Sequence, residues 1–584
     1  MKRHAYLSTL LLCAAIVSCA EKDTPAGKTP EPEKPVTPAD GKALAWQNFV
    51  DRNRDNVLLD YSYAGYHHGE SEAPDGFALG YKVENVKSRM ESGSLSAREA
   101  LTEILRENNL TVSEDGHNGH RPYANLVIYF PEGDYVLHSD DDNYFDPDRG
   151  NAAVDSKGNN ASRCIDITGG HLVFKGDGPD KTRLIMASPM LPADKDVMYS
   201  SPSMIQFKHN SGLAQLTSVT SDAAKGSFTV EVGSPLGISA GDWVCLYLKN
   251  NDRELVAKEL SPYEVESTMT NIIEEGVQIQ DFHQVRAVDG NRLTFYEPVM
   301  HEVEEKYHWE IRKFNHYEEV GVEDLCFVGH AKDDFVHHGN WEYDGAYKPV
   351  NFVRLTDSWM RNVDFTDVSE ACSISISANV SAYSINIRGH RGHSAIRSAG
   401  SSRVFIGAVE DRTRGPLKDN GGTIAEEAGQ YHACGVSKQS MGAVIWRVHW
   451  GTDACFESHA TQPHATLIDC CRGSFLQLRQ GGDYNQLPNH LDDLVIWNME
   501  SELSGESDGN SAPAGVFDWW RTGFRGWKFL PPVVVGFHGD PINFLESQMK
   551  WHEGYGTAVE PQSLYEAQLE RRLEYLPAWL AKLK

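Results

Sequence analysis

The chain has 584 residues, of which 40% are hydrophobic and 23% charged, and its formal net charge is −29. This balance excludes wholesale disorder and a multi-span membrane protein, and a pI near 5.2 argues against nucleic acid as the main partner, because phosphate binding needs a basic face. The 50 Gly, 23 Tyr, 13 Trp and 24 His residues favour a β-rich protein with many turns and a ligand-facing surface.

The N-terminus has the pattern of an export signal. Two basic residues precede an apolar run over residues 7–17, which is too short to span a bilayer and suits the apolar core of a signal peptide. The segment Ile16-Val17-Ser18-Cys19 resembles a bacterial lipobox, in which Cys19 becomes the lipidated first residue; a secretory signal cleaved nearby is the alternative. Residues 20–43 carry five prolines and are predicted to form an extended tether. We therefore expect a signal peptide over residues 1–19 and a lipid-anchored outer membrane lipoprotein at the cell surface or in the periplasm.

Eight cysteines follow Cys19 along the chain. Their spacing contains no CxxC pair and no zinc pattern. Cys470 and Cys471 are adjacent, so on a strand their side chains would point to opposite faces. We expect isolated buried thiols, with one or two disulfides as the alternative in an oxidising compartment.

Residues 44–212 are predicted to form an N-terminal cap and the first coils of a β solenoid. Ser96-Ala97-Arg98-Glu99 is a capping box that opens a helix through about Glu107. The apolar run 126–130 leads into a Pro-Glu-Gly turn and is typical of a buried strand. Apolar runs at 172–174 and 182–185 flank a Gly-Asp-Gly corner, a spacing typical of right-handed parallel β-helices.

The pattern changes over residues 213–315, which are predicted to form an inserted β module. Longer alternating strands replace the short apolar runs, for example at Ser227–Val232 and Trp243–Leu248. Two more follow at Phe282–Val288 and Arg292–Tyr296. Alternation of apolar and polar residues indicates strands that are buried on one face only.

Residues 316–545 contain short apolar runs at a near-regular interval and are predicted to form the main β-helix. Steps of about 20–25 residues correspond to one coil of a solenoid, and longer steps are coils that carry loops. A β-sandwich would instead give turns about every 8–12 residues. The sequence therefore predicts an all-β fold, a right-handed parallel β-helix (solenoid) with an inserted β module. The residues that mark successive coils are Val363, Ile385, Ile406, Ile445, Leu467 and Val495.

Residues 546–584 are predicted to form a C-terminal helical segment, the counterpart of the N-terminal helix. Ser563-Leu564-Tyr565-Glu566 is a second capping box. The helix that follows it would cover the open edge of the last coil, since an uncovered edge invites pairing with another chain.

Three segments resemble bacterial proteins of the pectate-lyase-like β-helix superfamily. They are Tyr61-Ser62-Tyr63-Ala64-Gly65-Tyr66, the turn Phe130-Pro131-Glu132-Gly133 and the tail Val559–Ala567. With the lipobox and the tether, the chain is similar over residues 60–580 to surface glycan-degrading lipoproteins of gut or marine Bacteroidetes. The resemblance implies a lyase family that acts on chondroitin, dermatan and hyaluronan. It is specific for the fold and weak for the substrate, because β-helices host lyases, hydrolases and epimerases alike.

The residues between 381 and 480 have the charge pattern of a site for an anionic ligand. This window holds eleven Arg and Lys, eight Asp and Glu, and six His residues in a chain of net charge −29. A basic island of this kind concentrates an anionic substrate, although surface arginines at loop ends would give the same count. Clusters beginning at Arg388, Tyr431 and Glu457 recur at coil spacing, and equivalent positions of adjacent coils stack about 4.8 Å apart.

These residue types suit cleavage of a uronate polysaccharide by β-elimination. The proton at C5 is removed, the C4 leaving group departs, and a cation neutralises the carboxylate. The base needs a lowered pKa and the leaving oxygen needs a proton. We therefore predict an extracytoplasmic polysaccharide lyase that acts on an anionic, glycosaminoglycan-type polymer. The predicted bases are Lys438, His393 and His432, the predicted acids are Tyr431 and His459, and the predicted substrate-binding residues are Arg391, Arg397, Arg447, Arg472, Gln462 and Trp341.

Two other functions remain open at this point. A glycoside hydrolase needs two carboxyl groups flanking the bond, and Asp453 and Glu457 stand four residues apart. A non-catalytic glycan-binding lipoprotein is the other alternative. An adhesive β-helix is expected to be more repetitive and poorer in His, which favours an enzyme. The sequence has no GxGxxG, GxxxxGK[ST] or HExxH motif.

No cofactor and no metal site are predicted, but two places have weaker signals. The acidic segment 139–148 offers oxygen ligands for Ca²⁺, yet it departs from the EF-hand pattern, so a solvated loop is the simpler interpretation. His337 and His338, near Trp341, suit contact with an anion and stacking on sugar rings; adjacent residues seldom bind one metal ion. We expect a monomer with no nucleic-acid partner.

Overall fold

The structure, a computed structural model, describes residues 41–111, 119–143, 161–210, 212–417, 422–477, 479–506, 516–521 and 528–584. The signal peptide, Cys19 and nearly all of the tether lie outside these ranges, so their assignments remain predictions. The end of the acidic segment, with Asp146 and Asp148, lies outside them too.

Most of the described secondary structure is β, and its largest element is a sheet of 14 strands, here called sheet A. Adjacent strands of sheet A run parallel throughout the described residues. Its strands are Lys82–Asn85, Leu126–Tyr129, Gly133–His138, Leu172–Lys175, Thr182–Met186, Val320–Val328, Trp359–Thr366, Ser381–Arg388, Phe405–Asp411, Val444–Trp446, Thr466–Asp469, Leu494–Trp497, Val533–Val535 and Trp551–Glu553.

Two smaller parallel sheets complete what we call the parallel scaffold. From residue 320 to 469 the chain visits sheets A and B alternately, and from 472 onward it visits sheets C and A alternately. Each return adds a strand beside the previous strand of the same sheet, as parallel pairing requires. Sheet B consists of Ile165–Ile167, Ile205–Lys208, Val350–Val353, Glu370–Ser375, Ser394–Ala399, Gly435–Ser437 and Glu457–His459, and sheet C of Arg472–Gln477, Glu500–Glu506 and His538–Gly539.

Sheet A is apolar on both faces. In the strand Leu494–Trp497, Ile496 packs in the inner core, whereas Val495 and Trp497 pack in a second cluster on the outer face. Successive side chains of a strand point to opposite faces, so burial of both faces explains why these strands are continuous apolar runs rather than alternating ones.

The C-terminal helix Leu564–Leu573 covers the outer face of sheet A. The Asp469 carboxylate accepts hydrogen bonds from the Ser563 hydroxyl at 2.6 Å and from the backbone N–H groups of Leu564 and Tyr565 at 3.1 and 2.9 Å. These bonds satisfy donors that a helix N-terminus leaves unpaired. The helix therefore lies over the strand Thr466–Asp469 and not, as predicted, over the edge of the last coil.

The first described helix lies at the last strand of sheet A. Helix Leu44–Asp51 begins where the Glu553 carboxylate accepts hydrogen bonds from the N–H groups of Leu44 and Ala45, at 3.0 and 2.9 Å. A carboxylate at a helix N-terminus is stabilising because it meets the positive end of the helix dipole. Both ends of the folded chain thus cover sheet A.

Residues 213–314 form an antiparallel sheet of six strands, here called the insert. It separates the sheet B strand Ile205–Lys208 from the sheet A strand Val320–Val328. Gln462 of the parallel scaffold holds it, since its side chain accepts from the N–H of Gln278 at 2.8 Å and donates to the carbonyl of Gly276 at 2.9 Å. The strands are Leu213–Ser218, Thr229–Glu231, Trp243–Asn250, Val277–Asp289, Arg292–Phe295 and Glu310–Phe314.

Eight α-helices within the described ranges make the fold mostly β rather than all-β. One of them follows the capping box at Ser96, whose hydroxyl accepts from the N–H of Glu99 at 3.2 Å. The eight cysteines of the described chain are free thiols, and six of them are buried. The helices are Leu44–Asp51, Val86–Gly93, Ala97–Glu107, Arg253–Leu260, Thr270–Glu274, Trp341–Asp344, Leu564–Leu573 and Ala578–Ala581.

The predicted coil markers match the strand register in part. Val363 pairs with Ile385, and Leu467 pairs with Val495, as the spacing predicted. Ile406, however, pairs with Ala382. The difference arises because each of these longer strands buries two or three apolar side chains in the inner core, so the spacing alone does not select the correct one.

Candidate functional site on the outer face of sheet B

The strand register sets a row of polar positions on the outer face of sheet B. Ser373, Arg397, Gly435 and Glu457 are neighbours on four adjacent strands. Arg397 and Glu457 are thus two strands apart, about 10 Å at the backbone. Because Gly435 between them has no side chain, the guanidinium of Arg397 reaches across it, and Nη2 lies 2.6 Å from Oε2 of Glu457.

Arg397 is the cation of this row. Its side chain is 18% exposed, whereas that of Glu457 is 1% exposed. Burial lowers the pKa of Arg397, but the carboxylates of Glu457 and Glu370 raise it above its ordinary value. The site therefore contains a permanently charged guanidinium, of which Nε and Nη2 are buried. His459 follows on the same strand as Glu457, and burial lowers its pKa.

Glu370 and His393 form a second pair beside Arg397. Nδ1 of His393 lies 3.5 Å from Oε1 of Glu370, and the two side chains are 11% and 19% exposed. Burial raises the pKa of Glu370, but the nearby His393 and the charges of Lys348 and Arg397 bring it down to about 2. Glu370 is thus an anion 3.5 Å from Nδ1 of His393, a contact longer than a hydrogen bond, and its charge favours a proton on that ring nitrogen rather than on Nε2.

His432 is the third imidazole of the sheet, and it is neutral. Its Nδ1–H donates to the carbonyl of Arg479 at 2.6 Å, and its Nε2 lies 3.2 Å from Nε2 of His337. Burial, together with the nearby His393, His337 and Arg397, lowers the pKa of His432 far below its ordinary value. We call Glu370, His393, Arg397, His432 and Glu457 the sheet B site.

A segment that we call the histidine loop, residues 330–345, lies over the sheet B site. The ring of His337 stacks on that of Tyr431 with 3.7 Å between centres, and the exposed His338 stacks on His337 at 3.8 Å. A positive φ of 56° at His338 turns the backbone so that both rings lie on the same side. The two adjacent histidines are therefore stacked on each other above the sheet B site.

A buried ion-pair group supports the site from behind. Asp453 binds Nη1 of Arg391 and Nη2 of Arg479, each at 2.8 Å. Arg391 also donates to the carbonyl of Pro416 at 2.5 Å, and Arg479 donates to the Tyr431 hydroxyl at 3.2 Å. Arg391 and Tyr431 are buried, so the structure corrects their predicted roles as substrate ligand and acid: both position the site.

Two predicted residues lie at the far end of sheet B. Lys438 is exposed and follows the strand Gly435–Ser437, whereas His432 precedes that strand, so they are on the order of 15–20 Å apart. Gln462 is buried and bonded to the insert, as described above. The structure therefore brings neither residue into the sheet B site.

Two predicted arginines lie on other sheets. Arg447 is on the outer face of sheet A, where Nε and Nη2 donate to Oε1 of Glu566 at 3.1 and 3.0 Å. Arg472 opens a strand of sheet C, and its Nη2 lies 2.6 Å from Oε1 of Glu502. Their spacing in sequence matched one coil, but a coil passes through different sheets, so the structure does not place these two arginines in the sheet B site.

The remaining sequence signals have local structural partners. Trp341 begins the short helix of the histidine loop, but its half-buried ring packs against the inner core, which corrects its predicted stacking on sugars. In the acidic segment, the Asp142 carboxylate accepts from the N–H and the hydroxyl of Ser139 at 2.7 and 3.0 Å. Asp142 therefore has hydrogen-bond partners within the segment itself.

Three groups of side chains among the described residues have donor atoms within 4.8 Å of one another, the spacing of a metal site. The group Asp75, Glu323 and Asp324 already surrounds the ammonium of Lys175, at 2.8, 2.9 and 2.6 Å. The other two groups are His337 with His338 and His393, and Glu259 with His301 and His464.

The carboxyl groups of the site do not suit the hydrolase alternative. Both oxygens of Asp453 bind guanidinium groups, and Glu457 is paired with Arg397. The pKa of Glu370 is about 2. A glycosidase needs one protonated carboxyl group beside the bond, and none of these three residues is placed to supply it.

Glu370 and Lys348 are not among the residues predicted from the sequence. Glu370 pairs with Ser394, one coil along, and so stands beside His393. A coil step counted back from His393 would have found it. Lys348 precedes the strand Val350–Val353, and only its charge on Glu370 links it to the site.

Comparisons with known proteins give limited similarity. A family model described as a domain of unknown function (DUF4955) matches residues 429–583. No curated protein matches the chain. Within the described ranges, none of the helices has the length and hydropathy needed to cross a bilayer.

Solved structures with a similar chain path include phage tailspikes and a bacterial adhesin. The tailspike gp49 of Pseudomonas phage LKA1 is 13% identical, with a TM-score of 0.35, over 77% of this chain and 70% of that chain. PfbA, a surface adhesin of Streptococcus pneumoniae, is 9% identical with a TM-score of 0.36, over 79% of each chain. A tailspike of E. coli bacteriophage HK620, in complex with a pentasaccharide, is 9% identical with a TM-score of 0.34, over 84% of this chain and 63% of that chain. Similarity at this level transfers no activity.

Proposed function

We propose that this protein is an extracytoplasmic polysaccharide lyase that cleaves an anionic, uronate-containing polymer of glycosaminoglycan type by β-elimination. The observation that carries the proposal is the Glu370–His393 pair, 3.5 Å apart, beside Arg397, whose side chain is 18% exposed. This arrangement combines an oriented imidazole base with a cation for the substrate carboxylate.

The reaction follows from these positions. Arg397 binds the uronate carboxylate and stabilises the negative charge that develops when the adjacent C5–H bond breaks. Nε2 of His393 accepts the C5 proton, and Glu370 stabilises the imidazolium that forms. The electron pair becomes the C4–C5 double bond while the C4–O bond breaks. His338, whose ring centre lies 5.8 Å from that of His393, donates a proton to the leaving oxygen.

The scaffold and the location complete the proposal. Strand–crossover–strand units in a parallel sheet are right-handed in about 98% of cases, which supports a right-handed parallel β-helix. The export signal and the lipobox at Cys19 support an outer membrane lipoprotein, and the resemblance of three segments to β-helical lyases supports the glycosaminoglycan class. The mechanism requires no cofactor.

The test is the ultraviolet absorbance of C4–C5 unsaturated uronate during incubation with chondroitin sulfate, dermatan sulfate, hyaluronan, heparin, polygalacturonate and alginate. Growing absorbance with at least one polymer is the expected result. New reducing ends without absorbance would make the protein a hydrolase. Binding of a polymer without either product would make it a glycan-binding lipoprotein, and both outcomes would overturn the proposal.

A further inference from the structure

A second histidine cluster lies where the insert meets the parallel scaffold. Glu259 is on the insert helix Arg253–Leu260, His301 is in the insert, and His464 precedes the sheet A strand Thr466–Asp469. Nε2 of His301 lies 3.1 Å from Oε1 of Glu259, and Nε2 of His464 lies 3.5 Å from Oε2. Three donors from separate parts of the chain therefore converge on one point.

Backbone carbonyls fix the orientation of both imidazoles. Nδ1–H of His301 donates to the carbonyl of Glu302 at 2.7 Å, and Nδ1–H of His464 donates to that of Gln462 at 3.0 Å. Both Nε2 atoms then face Glu259. Histidines that bind metal ions are held in this way, because the bond at one ring nitrogen sets the tautomer and directs the other towards the ion.

The donor spacing fits a small divalent ion. Two ligands about 2.1 Å from a tetrahedral ion are about 3.4 Å apart, and the Nε2–O distances here are 3.1 and 3.5 Å. Two imidazoles and one carboxylate are ligands that Zn²⁺ and similar transition ions accept, whereas Mg²⁺ and Ca²⁺ prefer oxygen.

Another buried histidine shows how an ordinary ion-pair network differs. His283 is buried with Nε2 2.9 Å from Asp281 and Nδ1 3.3 Å from Glu297, so carboxylates occupy both ring nitrogens. His301 and His464 instead share a single carboxylate. Their cluster also borders a cavity of about 440 Å³.

The cavity gives the cluster room for a further ligand. Besides Glu259, His301 and His464, it is lined by Lys225, Lys258 and Lys550. A structural zinc site is closed by four protein ligands, whereas three protein ligands beside an open space leave one coordination position for water or an anion. Lys225 and Lys550 pair with Asp492 and Asp493, and Lys258 pairs with Glu304, so the lining carries both signs of charge.

We propose that Glu259, His301 and His464 bind a divalent transition ion of the Zn²⁺ class, with an open coordination position that faces the cavity. The ion joins the insert to the parallel scaffold. This site is separate from the sheet B site and does not depend on the proposed lyase activity. Its ligands are dispersed over two hundred residues of sequence without a recognisable spacing, which is why the sequence predicted no metal.

The test measures metal bound to the full protein. The protein is stripped with a chelator and reloaded with Zn²⁺ or Co²⁺, the excess ion is removed, and bound metal is counted by mass spectrometry. We expect about one ion per chain and the visible absorbance of Co²⁺ with nitrogen ligands. The variants Glu259→Gln and His464→Asn should each weaken binding at least about 100-fold. Two different ligand variants are used so that misfolding of one does not decide the test, and circular dichroism checks that each variant is folded.

Two control variants separate this site from other histidines. His490→Asn removes a buried imidazole whose Nδ1 bonds to the carbonyl of Leu491 and whose Nε2 bonds to the hydroxyl of Thr466. His338→Ala removes a donor from the histidine loop. Both controls should keep the ion. Absence of bound Zn²⁺ and Co²⁺ in the unmodified protein, or unchanged affinity in Glu259→Gln, would make the cluster an ion pair only and overturn the proposal.

Discussion

The outer faces of sheets A and B use polar residues in opposite ways. On sheet A, the covering C-terminal segment supplies the partner of each polar group described above: Ser563 and the helix N-terminus bind Asp469, and Glu566 binds Arg447. On sheet B, Arg397 has its partner on the sheet itself, and the histidine loop lies above. The comparison indicates that a charged residue stabilises the fold where another segment of the chain packs over it and supplies its partner. Where no such segment supplies a partner, the residue is free to contact a ligand.

The largest effect expected from this difference is loss of activity without loss of stability at sheet B. His393→Asn removes the proposed base, and general-base catalysis contributes about 10²–10⁴-fold. We expect kcat to fall about 10³-fold, with a melting temperature close to that of the unmodified protein because Asn keeps a polar side chain at this buried position. Product absorbance and thermal unfolding of the same samples measure the two quantities.

Glu370→Gln tests how the base is held. The amide of this variant keeps the shape of the side chain but not the charge that stabilises the imidazolium, so kcat should fall less than in His393→Asn, about 10–100-fold. The pKa of Glu370 is about 2, so above about pH 4 this carboxylate contributes no pH dependence of its own. Equal activity of Glu370→Gln and the unmodified protein would remove Glu370 from the mechanism.

At sheet A the expected effect is on stability and depends on pH. Burial raises the pKa of Asp469 to about 6 despite its bonds to Ser563 and the helix N-terminus. Its unfolded value is about 3.9. The folded state therefore binds the Asp469 proton more tightly than the unfolded state does. Protonated Asp469 adds to the free energy of unfolding below about pH 4, and this contribution is lost as the pH rises through 6. The loss is on the order of 2–3 kcal/mol.

The variant Asp469→Asn isolates this contribution. Its amide does not ionise, so its free energy of unfolding relative to the unmodified protein should rise between pH 4 and pH 7, as denaturant titrations at each pH would show. Other carboxylates cancel in the difference. Lyase activity should be unchanged at a given fraction of folded protein. A difference that is constant with pH would mean that Asp469 has an ordinary pKa.

The sequence was sufficient for the parallel strands and for part of the site. Apolar runs at coil spacing predicted the strands of sheet A, and His393, Arg397 and His432 fall together because they occupy adjacent coils of one sheet. The same reasoning failed for Arg447. The alternation of side chains along a strand predicts which face of the sheet a residue lies on, but it does not predict which segment packs over that face. The covering helix begins more than one hundred residues later, at Leu564.

Arg447 therefore gives the smallest and most direct test of the comparison. Nη2 lies 3.0 Å from Oε1 of Glu566, and the two side chains are 21% and 10% exposed. Arg447→Met keeps the length of the side chain but leaves that carboxylate without its guanidinium. We expect a loss of about 1–2 kcal/mol in the free energy of unfolding and unchanged kcat.

Arg472→Met is the matched control, because Arg472 also pairs with a glutamate but is 53% exposed on sheet C. Exposed pairs contribute about 0–1 kcal/mol, since water solvates the separated charges. Arg472→Met should therefore change neither stability nor activity measurably. A lower kcat at constant stability in either arginine variant would mean that the substrate also contacts sheet A or sheet C. Packing of other segments over a sheet would then no longer explain which charged residues contact a ligand.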